Sequence, residues 1–268
     1  MSAIVSVGQV LFSKYTPPAG IALLLWDHCL TFDEEVTMMW ASFKGPILPK
    51  VIYVMNRYFT EAVLLYTAYV FTRLRGPAAN KDCATVFWLI PMSTTFLAGI
   101  LQFLIMLRAY RLWDHKQTMR RVLLVVFVAC MTGSLVLCVR MVLTLLETHV
   151  VLNPRGAICS VPEVPKTTPF LMGILLLFNL FVISVSFYNA LEEPRRRESE
   201  VFNSLRRDGV KVYFAPFLSL SLVLWVLLLI TSLFAEMPVY FPILILAWSV
   251  AANLTSRMHL RIESLRLQ

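Results

Sequence analysis

Apolar residues in this chain come in long unbroken runs rather than in alternating or one-sided patterns. Seven runs stand out, at about Tyr15–Phe32, Leu48–Phe71, Thr85–Leu107, Val122–Leu146, Phe170–Leu191, Val212–Phe234 and Val239–Ser256. Each approaches the ~20 residues that a helix needs to cross a hydrocarbon core. In lipid only helices and closed barrels satisfy every backbone N–H and C=O, and continuous runs favour helices over barrel strands. The pattern predicts an all-α, polytopic membrane protein with seven transmembrane helices in one domain, residues 1–268. The first run is short and holds Asp27. The seventh begins beside Pro238 and Pro242, positions that a first helical turn tolerates.

Composition agrees with the runs. The chain is 58% apolar and only 15% charged, with a mean hydropathy of +0.72. A soluble domain of this length needs far more polar surface. The net charge of +8 does not point to nucleic acid, because the basic residues lie between apolar runs and form no compact basic domain. Residues 1–13 carry no charge, so no basic start of a signal peptide is expected there. Lys and Arg divide unequally between the two sides of the predicted spans, sixteen against six, with Arg57 and Arg140 inside spans. The positive-inside rule then places the N-terminus outside and the C-terminus in the cytoplasm.

Asp27 lies about five residues before the end of the first run, or ~8 Å deep at ~1.5 Å per residue. Arg57 sits at a comparable depth in the second run, and Glu61 follows it by one helical turn on the same face. A lone charge at mid-bilayer costs at least ~2.5–3.5 kcal/mol, so these groups are expected to pair. Asp27, Arg57 and Glu61 are therefore read as one buried network between the first two helices. It is either a ligand- or proton-coupled switch or a structural clamp. The clamp is preferred, because a relay needs acids in other spans. His28 adjoins the network, as a pH sensor or simply as a hydrogen-bond donor. Arg140 is expected to snorkel.

Two cysteines, Cys83 and Cys159, fall on the predicted outer side, where a disulfide between them would survive; two free thiols are the alternative. On the predicted inner side, "LRAYRLWDH" places Arg108, Tyr110 and Arg111 at the interface, as a belt of anchors or as a contact for a cytoplasmic protein. Four scattered histidines show no metal spacing, and neither a GxSxG elbow nor a phosphate loop occurs. No enzyme, cofactor or metal is expected.

"LLLWDHCLTFDEEVTMMW", then "VIYVMNRYF", "RAYRLW" and "RRDGVKVYF", resemble a large group of fungal multi-pass membrane proteins. That group is known as a domain of unknown function defined over its first two spans, here residues 19–69. Asp27, Leu30, Thr31, Glu35, Val36, Trp40, Asn56, Arg57 and Tyr58 carry the likeness. The resemblance implies seven helices and a fungal membrane, and no activity. The layout also resembles seven-helix receptors, without their acidic-Arg-Tyr triplet or an Asn-Pro-x-x-Tyr. The leading expectation is a receptor-like or sensory protein of the plasma membrane, with a ligand reached from outside between helices three to seven. A small transporter or channel is the alternative, with Asp27, Arg57, Glu61, Gln102, Asn179 and Asn253 as its polar candidates. A structural or lipid-organising protein is the third reading.

Overall fold

The structure is a computed structural model that describes residues 7–40, 47–72, 79–112, 117–147, 151–153, 158–160, 164–192 and 219–267. Helix α1 (Val7–Glu35) runs into a π-helical turn, Val36–Trp40. Helix α2 (Ile47–Val54), a second π turn (Met55–Phe59) and α3 (Thr60–Thr72) follow one another without a break. Next come α4 (Ala79–Leu112), α5 (Gln117–Glu147) and a small antiparallel hairpin. Its strands β1 (Val151–Asn153) and β2 (Ile158–Ser160) set Leu152 opposite Cys159. The chain continues through α6 (Thr168–Glu192), α7 (Ser219–Phe234) and α8 (Met237–Leu267). The turn between α7 and α8 is short and closed by backbone bonds, from Ala235 N–H to the Thr231 carbonyl and from Tyr240 N–H to that of Glu236.

Among the described residues, four helices are long and apolar enough to cross a membrane: α4, α5, α6 and α8. The other predicted runs differ in a physical way. The run in α1 contains Asp27, His28 and two prolines, and α2–α3 carries Asn56, Arg57 and Glu61. The helices also outrun the apolar pattern, α8 continuing well past Ser256 to Leu267. Its polar end, rich in Arg and Leu, favours helix as strongly as the apolar part does.

Helix α8 packs along α1, α4 against α5, and α5 against α6. One buried cluster includes Leu24, Leu64, Ile90, Leu97, Leu175 and Ile245. Helices α1 and α8 approach closely at Gly20, where an added Cβ would stand 2.8 Å from Ser249 Oγ. That hydroxyl is already fixed on the Ile245 carbonyl, so the two helices meet here only because Gly20 has no side chain. The hairpin lies against α4 and α1, and defines one end of the bundle. The junctions of α1 with its π turn and of α2 with α3 lie toward the opposite end.

Candidate functional site: a buried charge cluster beside an apolar cavity

Asp27, Thr31 and Glu35 recur every four residues, which sets them on one face of α1. Facing them is the π turn Met55–Phe59, where the consecutive residues Asn56 and Arg57 are both buried. A π turn inserts a residue and rotates its neighbours, and such turns are frequent at functional sites. Here the two neighbours serve different helices. Asn56 donates to the Ala252 carbonyl at 3.2 Å and to Ser256 Oγ at 3.4 Å on α8. Arg57 turns to α1, donating to Thr31 Oγ1 at 2.8 Å.

Three carboxylates surround the Arg57 guanidinium. Asp27 Oδ2 is 3.6 Å from Nη1, while Glu35 Oε2 and Glu61 Oε1 are each 3.8 Å from Nε. Arg57 itself has no exposed surface. Each acid then has a second partner. Asp27 Oδ1 takes a 2.6 Å bond from Nε of Arg257 on α8, whose side chain is half exposed. Glu61 Oε1 lies 2.6 Å from His28 Nδ1, and His28 Nε2 lies 3.5 Å from Glu35 Oε2. Glu35, fully buried, also accepts from Tyr53 Oη at 2.8 Å, from Trp40 Nε1 at 3.0 Å and from Tyr58 Oη. Both nitrogens of His28 face carboxylate oxygens. The three carboxylates thus meet Arg57, Arg257 and His28 inside the bundle, and buried ions are tolerated where they are paired in this way.

On the far side of Asn56 lies a cavity of about 70 Å³ between α4, α6, α7 and α8, lined among others by Thr95, Leu101, Met172, Trp225 and Trp248. A second, smaller cavity of about 20 Å³ lies between Phe87, Met141 and Tyr240. The two share Thr94, Met172 and Leu244 as a common wall.

The structure thus brings Asp27, Arg57 and Glu61 together. It makes His28, expected beside the network, a member of it, and adds Glu35 and Arg257, which the sequence reading did not place there. The repeat from Asp27 to Glu35 was the available signal for Glu35. Nothing local pointed to Arg257, 230 residues from its partner Asp27. Cys83 and Cys159 belong to α4 and β2, but their side chains lie outside the described residues, as do those of Arg108, Tyr110 and Arg111 in the last turns of α4. Cys29, Cys130 and Cys138 are free thiols. Arg140 is exposed on α5. Gln102 donates to the carbonyl of Leu175, Asn179 accepts from Ser221, and Asn253 donates to the Leu23 carbonyl. Among the described residues no His, Cys, Asp and Glu side chains group to hold a metal ion.

Four apolar helices of this length are those of a membrane protein. The profile of a family of unknown function (DUF6533) matches residues 15–60. That stretch takes in α1 from Tyr15 onward, both π turns and every acid and base of the cluster except Glu61 and Arg257. No curated protein and no solved structure matches the chain.

Proposed function

We propose that this chain is a seven-span, receptor-like or sensory membrane protein, with its N-terminus outside, its C-terminus in the cytoplasm and a fungal plasma membrane as its setting. The observation that carries this reading is the π turn Met55–Phe59. One of its residues, Asn56, lines the larger cavity, and the next, Arg57, holds the charge cluster. A molecule that presses on Asn56 therefore acts on the α1–α8 connection through a single peptide unit. The Arg257–Asp27 pair is the exposed part of that connection, and the last turns of α4, with Arg108, Tyr110 and Arg111, are where a cytoplasmic protein would dock. The chain performs no catalysis in this reading and needs no cofactor.

The test is a photoreactive residue at position 110 in intact cells. The reading expects cross-linking to a cytoplasmic protein whose yield changes when Arg257→Ala opens the Asp27 pair. A yield of zero, or one indifferent to Arg257, sinks it. An impermeant thiol reagent on whole cells checks the orientation, labelling Ser2→Cys but not Ser264→Cys.

A small transporter or channel is the second reading, favoured by the wall that the two cavities share. Solute uptake or current in liposomes containing the purified chain would establish it, and silence in both assays would remove it.

A further inference from the structure

We propose that the exposed seam between α1 and α8 binds an anionic phospholipid from the leaflet at the C-terminal end of α8. Arg257 and Arg261 take its phosphate, and an acyl chain lies along the seam behind them. The proposal needs only a membrane around these helices and stands apart from the receptor reading.

The register of the two helices builds the seam. Gly20 meets Ser249, Asn253 Nδ2 donates to the Leu23 carbonyl at 3.4 Å, and Arg257 Nε donates to Asp27 Oδ1 at 2.6 Å. Both members of each pair advance together along the chain, so the helices run parallel and side by side. Leu23 and Leu30 stand four residues before and three after Asp27, on its face of α1, and both are exposed. Leu246, about three turns before Arg257 on the same face of α8, is exposed as well. These side chains make an apolar strip that leads to Arg257. Any lipid-facing helix offers acyl chains such a strip; this one is marked by the charge at its end.

The Arg257 side chain is 56% exposed although Asp27 holds its Nε. A guanidinium presents N–H groups in a fixed fork, so a partner on Nε also fixes the plane of the Nη groups. Those Nη groups have no partner among the described residues. Arg261 follows one turn later on the same side of α8, exposed, and its guanidinium has no partner among the described residues. Glu34, exposed on α1, pairs with neither arginine. Two guanidiniums a turn apart, one of them already oriented, match the several oxygens of a phosphate, which arginine takes in bidentate fashion. Trp26 marks the level. It precedes Asp27 in α1, is 69% exposed, and is of the residue type that gathers where headgroups begin. The charge balance favours an anionic lipid. Asp27 is shared between Arg57 and Arg257, so it does not neutralise the exposed pair. A zwitterionic headgroup brings its own cation to the phosphate, whereas an anionic one leaves its charge for the arginines.

The experiment places the full chain in phosphatidylcholine nanodiscs with a minor fraction of photoreactive lipid. The probe is phosphatidylglycerol or phosphatidylcholine, each with a diazirine at the same acyl position, and adducts are mapped by mass spectrometry. The proposal expects saturable adducts at Leu23 and Leu246 with phosphatidylglycerol, about fivefold or more above phosphatidylcholine at equal mole fraction. Arg261→Gln removes a guanidinium that holds nothing else among the described residues, and should lower phosphatidylglycerol labelling about fivefold with no loss of thermal stability. Adding Arg257→Gln should bring it down to the phosphatidylcholine level. Replacing Arg120 and Arg121, two exposed arginines on α5, by Gln should leave it unchanged. Equal labelling by the two lipids overturns the anionic class. An equal loss from the α5 variant reduces the effect to overall surface charge and overturns the site. Displacement of the lipid by excess glycerol 1-phosphate shows a soluble phosphate as the occupant and overturns the lipid. None of these outcomes depends on a cross-link at position 110, so this proposal and the receptor reading can fail separately.

Discussion

Arg57 and Asn56 are neighbours in the chain, yet they look into two opposite kinds of interior. Arg57 enters a dense polar cluster in which three acids, a histidine and a second arginine are tied across α1, the α2–α3 segment and α8. Asn56 looks into an apolar gap whose walls hold few polar groups and no charge. In lipid, apolar contact between helices gains little over contact with acyl chains, so packing and hydrogen bonds set which helices stay together. The cluster therefore ties α1, the α2–α3 segment and α8 together, and the cavity meets it at one π turn.

The largest expected break in this contrast is at Arg57. Arg57→Met leaves three buried carboxylates without their common cation and should cost about 3–5 kcal/mol, read as thermal stability in detergent. Arg57→Lys should recover little, because an ammonium cannot serve Thr31 and three carboxylates from one planar group. Adding Asp27→Asn to Arg57→Met should make matters no worse, and a cycle whose two effects simply add would show that the groups are not coupled. Glu35→Gln comes next, at about 1–3 kcal/mol, since three neutral donors and Arg57 lose a charged acceptor in a buried place. Arg257→Ala removes a half-exposed partner and should cost about 1 kcal/mol or less. A larger loss would move Arg257 from the rim of the cluster to its centre. The smallest effect belongs to the other region. Ala252→Val, at the cavity wall, should be neutral or should stabilise by about 0.5–1 kcal/mol by filling space. Clear destabilisation there would mean that the space is already packed.

A second contrast explains what could be read in advance. The apolar stretch of α5 has a mean hydropathy of 2.8 and is 17% buried, while that of α8 has 1.6 and is 61% buried. The more apolar helix is the one facing lipid. The amino-acid pattern marks both as membrane helices, but it does not say which is central, because lipid and protein core ask for the same side chains. The charges were legible for the opposite reason. An Asp, an Arg and a Glu inside apolar runs have to find partners, so Asp27, Arg57 and Glu61 announced a network before any packing was known. Glu35 was missed because it stands just past the apolar run, where a charge needs no special explanation. Burial by Tyr53, Tyr58 and Trp40 makes it a member.

The sequence by itself determined that this is a helical membrane protein and that charges within its first two apolar runs are paired, since both follow from the cost of unsatisfied polar groups in hydrocarbon. Only the tertiary structure decided which partners those charges take and where the helices leave space. Arg257 reaches Asp27 across most of the chain, and two side chains of one π turn divide between cluster and cavity. Both are matters of three-dimensional geometry, and helices that are apolar on all sides carry no pattern that records it.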